Sequence, residues 1–141
     1  MGQVPSPPRT IGEIMTTKVV TITPQATVAA AIDLFVRHRF RHLLVTDGLR
    51  SLAGVVSDRD ALRHMAKGGN PNAVTVGEIM KRRPVVATPE TAVTAAIDQL
   101  RAHRINCLPV IDGGGTLLGI VTTTDLLGTL RAVLAEPAAH A

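Results

Sequence analysis

A stretch that opens Gly12-Glu13-Ile14-Met15 recurs as Gly77-Glu78-Ile79-Met80, an offset of 65 residues. The same offset carries Thr23-Pro24 onto Thr88-Pro89, Ala31-Ile32-Asp33 onto Ala96-Ile97-Asp98, and His38-Arg39 onto His103-Arg104. It carries Asp47-Gly48 onto Asp112-Gly113, Gly54 onto Gly119 and Asp60 onto Asp125, with no gap anywhere. Roughly two-fifths of the aligned positions are identical, so the chain is a duplication and both copies must share one fold.

Each copy can be read in order. The Gly-Glu-Ile-Met segment is a short helical or irregular opening. Val19 to Thr23, and Val85 to Thr88, read as short strands stopped by proline. Val28, Ala31, Ile32 and Phe35 fall at i, i+3, i+4, i+7, as do Val93, Ala96, Ile97 and Leu100, so an amphipathic helix follows each strand. His42 to Thr46 and Cys107 to Ile111 read as buried strands, each ending at an Asp-Gly turn. Asp112-Gly113-Gly114-Gly115 is such a hairpin turn rather than a phosphate loop, since no Gly-Lys-Ser/Thr follows it. Leu52 to Ser57 and Leu117 to Thr122 are the return strands, and a second helix closes each copy. The pattern predicts an α/β (α+β) chain of two β-α-β-β-α repeats with three-stranded sheets. One such unit buries too little to be comfortable alone, so the two are expected to pack sheet to sheet. The division is a tail at 1–9, a first repeat at 10–66, a Gly/Asn/Pro linker at 67–74, a second repeat at 75–134 and a tail at 135–141.

The chemistry is concentrated where strand meets second helix. Gly54 to Asp60 reads G-V-V-S-D-R-D, and Gly119 to Asp125 reads G-I-V-T-T-T-D. A buried strand here delivers hydroxyls and a carboxylate to the start of a helix, where free N–H groups and the helix dipole favour an anion. A carboxylate beside hydroxyl donors suits a ligand bearing both a phosphate and vicinal sugar hydroxyls. The same residues could equally be helix caps and nothing more. Duplication at matched positions weighs toward a ligand.

Composition excludes other classes. Of 141 residues 45% are hydrophobic but only 1% aromatic, which leaves almost nothing to stack on exposed bases. The net charge of +4 is spread out, and Lys81-Arg82-Arg83 is too short for a nucleic-acid tail, so no specific nucleic acid is expected. Cys107 is alone, which removes any intrachain disulfide and points to a reducing, cytoplasmic compartment. No apolar run is long enough to span a membrane and no leader is recognisable, although Met1-Gly2 with Ser6 formally matches a myristoylation pattern. No enzyme site is expected, because Cys107 has no base. His38 and His42 straddle a helix end and should diverge, and Asp58 and Asp60 could hold Mg²⁺ only through a bound phosphate. No dedicated metal site and no required cofactor is expected.

Two copies opening G-E-I-M and ending G-apolar-V-S/T-x-x-D, with Leu108-Pro109-Val110 before the second motif, resemble a tandem pair of CBS domains. The resemblance spans about residues 10 to 132. It implies a pseudo-twofold regulatory module with two clefts between repeats that bind adenosine derivatives: AMP, ADP or ATP, less often S-adenosylmethionine or a dinucleotide. By resemblance, Asp60 and Asp125 hold ribose hydroxyls, while Ser57, Arg59, Thr122 and Thr124 face phosphate. Phe40, Arg41 and His42, and Ile105, Asn106 and Cys107, line the adenine and phosphate region. Lys18 to Val20 are implied for the second motif's cleft and Arg83 to Val85 for the first's. Arg41, His42 and Arg59 are matched by Asn106, Cys107 and Thr124, so the two clefts should differ in affinity. The module is expected to sense energy state as a homodimer and to act on a separate effector protein. The rival expectation is a structural protein with empty clefts.

Overall fold

The computed structural model describes residues 8–135, so the N-terminal residues that match the myristoylation pattern and most of the 135–141 tail lie outside it. In chain order a 3-10 turn at Ile11–Glu13 leads to β1 (Thr21–Ile22), α1 (Val28–His38), β2 (His42–Thr46), β3 (Leu52–Ser57) and α2 (Asp58–Ala66). The second copy has α3 (Val76–Ile79), β4 (Lys81–Arg82), α4 (Val93–His103), β5 (Cys107–Ile111), β6 (Leu117–Thr122) and α5 (Thr123–Ala135). The main helices and both central strand pairs lie where periodicity and turn signals put them.

Two compact units form, and they exchange their opening segments. One comprises Lys18–Pro84 and Gly113–Leu117; the other comprises residues 8–17, 85–112 and 118–135. Val76, from the second copy's opening, is fully buried in the core built by Val28, Phe35, Leu43 and Val56. Ile11, from the first copy's opening, is fully buried with Leu108, Val110 and Val121. A short segment with one apolar anchor thus fills the gap beside the other copy's strands. The hydrophobic effect favours both exchanges, because each buries an apolar anchor at the matched position.

The first unit's sheet has four strands in the order β1-β2-β3-β4, one more than the pattern predicts. The extra strand β4 is antiparallel to β3, with Gly54 opposite Arg82 and Val55 opposite Lys81. Its two exposed cations suit an edge strand, since charge there discourages edge-to-edge pairing. In the other unit β5 and β6 form a two-stranded sheet. The segment 85–88, expected as a strand, contributes only a parallel bridge from Ala87 to Val110, and Thr16 bridges Ile120. These bridges stand 65 residues from pairings in the first unit, Ile22 with Val45 and Val55 with Lys81. The duplication therefore extends to hydrogen-bond register, with fewer ladder bonds in the second unit.

The Asp47-Gly48 turn is tied by Asp47 Oδ1, which accepts the N–H groups of Leu49 at 2.9 Å and Ser51 at 3.0 Å. Its closing residue, Arg50, is left-handed at φ 64°, as is the matched Gly115 at 85°. An L side chain in that region costs roughly 1–2 kcal/mol, and glycine's extra unfolded-state entropy recovers only part of it. Arg50→Gly is accordingly expected to stabilise by about 0.5–1 kcal/mol. An unchanged or lower urea midpoint would count against this.

Candidate functional site

Both motifs fold into the same local device. Ser57 ends β3 in extended conformation and caps α2: its Oγ accepts the Asp60 N–H at 3.1 Å, and Asp60 Oδ2 accepts the Ser57 N–H at 2.8 Å. In the other unit Asp125 Oδ2 accepts the Thr122 N–H at 2.8 Å and the Thr122 hydroxyl at 3.0 Å, while Thr122 Oγ1 accepts the Asp125 N–H at 3.1 Å. Each is a reciprocal capping box, with aspartate at the third helical position. The capping reading of these residues is therefore realised twice.

Capping uses one carboxylate oxygen and leaves the other. Asp125 Oδ1 has no hydrogen-bond partner among the described residues, and it is not buried, since the one buried unpartnered side-chain nitrogen or oxygen there is His64 Nε2. Asp60 Oδ1 lies 3.4 Å from Nη1 of the mostly exposed Arg63, a long contact that contributes little to stability. A cap and a ligand contact can thus coexist on one side chain, the cap fixing the carboxylate so that its second oxygen is held out. Arg63 was missed in the sequence, although its i, i+3 spacing from Asp60 signals it.

The residues before each middle strand are stitched to the same helix starts. The Arg41 carbonyl accepts the Asp58 N–H at 3.0 Å, and the Asn106 carbonyl accepts the matched Thr123 N–H at 2.9 Å and its hydroxyl at 3.3 Å. Arg41, His42, Ser57, Asp58, Arg59 and Asp60 therefore gather at the start of α2. Asn106, Cys107 and Thr122 to Asp125 gather at the start of α5. Thr123 is absent from the residues expected to touch ligand and Asp58 enters them only through Mg²⁺, yet the 65-residue offset that pairs Arg41 with Asn106 also pairs these two. Arg41, Arg59, Asn106 and Thr124 are exposed. Phe40 packs edge-on against Phe35 at 6.0 Å and stacks on His38 at 5.4 Å. Ile105 packs against the second unit's core, as does Val85. Val20 packs against the first unit's core, while Lys18 in that unit is exposed. Lys18 and Val20 thus share a unit with the first motif, and Val85 shares one with the second.

The two sites differ electrostatically. The first has three arginines beside its two aspartates, and the half-buried His42. Burial of its ring lowers the His42 pKa, Asp58 and Asp60 oppose that, and Arg41 reinforces it. In the second, Cys107 is buried and its thiol is pushed up to about 12 by desolvation, so it is not a nucleophile at neutral pH. Among the described residues no group of three or more His, Cys, Asp or Glu is arranged to hold a metal ion. No described helix is long and apolar enough to cross a membrane.

The CBS domain family model matches residues 11–67 and 76–132. Inosine-5'-monophosphate dehydrogenase of Mycobacterium leprae (strain TN) is 34% identical over 122 residues, covering 86% of this chain. The chain spans only 22% of that relative's length. The solved structure of AcuB from Vibrio cholerae superposes with a TM-score of 0.81 at 25% identity, covering 89% of this chain and 92% of that one. CBSX2, solved in complex with AMP, superposes with a TM-score of 0.75 at 30% identity, covering 89% and 96%. The duplication, the register it preserves and the paired capping motifs all converge on one family: this chain belongs to the CBS domain proteins and carries two copies of the domain.

Proposed function

We propose that this protein is a non-enzymatic regulatory module that binds adenosine nucleotides at the starts of α2 and α5 and signals their presence to an effector protein in the cytoplasm. The observation that carries this is the duplicated capping box, which leaves Asp125 Oδ1 open to accept a ribose hydroxyl beside exposed hydroxyl and amide groups. CBSX2, a chain of similar length, was solved with AMP, which supports the same ligand class here. The start of α2, with Arg41 and Arg59, favours phosphate-rich ligands. The start of α5, with Asn106 and Thr124, relies on the ribose contact. Mg²⁺ would enter only with a bound phosphate.

A thermal-shift screen with AMP, ADP, ATP, S-adenosylmethionine and NAD tests this. A nucleotide at 100 times its dissociation constant should stabilise the chain by about 2.7 kcal/mol. A transition that none of the five moves would favour a structural protein with unoccupied sites. A shift with S-adenosylmethionine or NAD alone would reassign the ligand. ATP should survive prolonged incubation, because neither motif aligns a nucleophile with a base.

A homodimer is part of this reading. Leu127, Leu130 and Leu134 of α5 are 60%, 52% and 74% exposed, and Leu62 and Met65 of α2 repeat the first two positions. Each helix thus leaves large apolar side chains in water, and exposed apolar side chains clustered on a helix mark an interaction surface. Sedimentation equilibrium at micromolar concentration should give twice the chain mass, and Leu127→Glu with Leu130→Glu should give the monomer. A parent that sediments as a monomer with and without nucleotide would remove this part.

A further inference from the structure

His42 opens β2 directly opposite Ser57, the residue that caps α2. Side chains opposite one another on an antiparallel pair are close, with Cβ atoms roughly 5 Å apart. The preceding carbonyl, of Arg41, holds the first turn of α2 through the Asp58 N–H. The charged groups acting on the ring are Asp58 and Asp60 from α2 and Arg41 from the approach to β2. β3 offers only uncharged Ser57 opposite, and β1 pairs further along, at Leu44 and Val45. At the matched place in the other unit stand Cys107, Asn106 and Thr122 to Thr124, none of which titrates near neutral pH.

We propose that ligand binding at the start of α2 is proton-linked: a phosphorylated ligand there is bound together with one proton taken up by His42. The start of α5 lacks this linkage. The inference rests on the nucleotide reading above. In the free protein burial keeps the ring neutral at pH 7, because its proton affinity is already below the ordinary histidine value. A phosphate seated against Arg41 and Arg59 adds negative charge beside the ring, and nearby opposite charge favours the protonated form. Linkage then requires the converse, that protonation tightens the ligand. Affinity should rise as pH falls through the bound-state pKa and level off once the free ring is protonated too. One proton limits the slope to about tenfold per pH unit. Two aspartates at an anion site, otherwise unhelpful to phosphate, have a use here: they oppose desolvation and so make protonation of His42 less costly.

The test is calorimetric titration of ADP into the full chain at about pH 7 and about pH 6, in buffers of different ionisation enthalpy, for the parent and His42→Asn. The ligand's own phosphate ionisation, near pH 6, is common to both proteins and cancels in the comparison. The parent should take up roughly half to one proton more than His42→Asn, and its affinity should improve about three- to tenfold more on acidification. Uncharged adenosine should show no such difference. Equal proton counts with ADP bound in both proteins would overturn the linkage while leaving the nucleotide reading intact. Failure of ADP to bind the parent at all would overturn both. A second measurement avoids the variant's folding: the His42 ring, followed by NMR in the parent, should titrate at higher pH with ADP than without, and an unmoved titration would overturn the proposal.

Discussion

Gly54→Ala is expected to lower the stability of the chain by roughly 2–3 kcal/mol, and Gly119→Ala to do nearly the same. A Cβ at Gly54 would stand 2.6 Å from the Lys81 carbonyl oxygen and 2.8 Å from Met80 Sδ. At Gly119 it would stand 2.6 Å from the Thr16 carbonyl oxygen and 3.2 Å from Met15 Sδ. A thioether can swing aside, but the carbonyls belong to the exchanged opening segments that pair with β3 and β6. Backbone in a ladder moves only by giving up hydrogen bonds, so relief must come from opening that edge. Gly113→Ala is the control, because its Cβ would meet nothing within 4 Å. Urea midpoints should fall steeply for the two buried glycines and stay within about 0.5 kcal/mol for Gly113→Ala. Equal midpoints for Gly54→Ala and Gly113→Ala would show that the openings do not dock as described. The glycine heading each motif thus secures the close approach of the exchanged segment.

How far the sequence carried this structure depends on the range of each signal. Both amphipathic helices, both central strand pairs and the Asp-Gly turns follow from local periodicity and turn chemistry, and they lie within a residue or two of where those signals put them. The exchange of openings does not follow, because Ile11 and Val76 are apolar anchors that either core could accept. Nothing in the chain between them says which. Strand β4 escaped notice for a related reason. Lys81-Arg82 has no apolar alternation, and it is a strand only because Gly54 lets its backbone come close. At the candidate site the residue types were legible and their division of labour was not. Ser57 and Asp60 could be read as caps or as ligand groups, and only the separate fates of the two carboxylate oxygens make both readings compatible.

That division changes what substitutions at the aspartates should do. Asp125→Ala removes the cap and the open oxygen together. It should cost about 1 kcal/mol of stability and, with a hydrogen bond to a charged group contributing on the order of 1.5–3 kcal/mol, weaken nucleotide binding at the start of α5 by roughly ten- to a hundredfold. Sequence reasoning alone gives Asp→Asn a milder effect, since one acceptor oxygen survives. The geometry reverses that expectation. The Thr122 N–H needs an acceptor at the Oδ2 position, so an asparagine there turns its oxygen to the cap and presents its NH₂ group outward. An NH₂ group can only donate, whereas a ribose hydroxyl bound to the aspartate needs an acceptor. Asp125→Asn should therefore melt like the parent yet bind nearly as poorly as Asp125→Ala. Asp60→Asn should behave alike but less sharply, because Arg63 already competes for Oδ1 and the neighbouring arginines hold phosphate independently. Calorimetry beside melting curves on the three variants reads both quantities. Parent-like affinity in Asp125→Asn would mean that the outward oxygen accepts nothing from the ligand, leaving these carboxylates as caps alone.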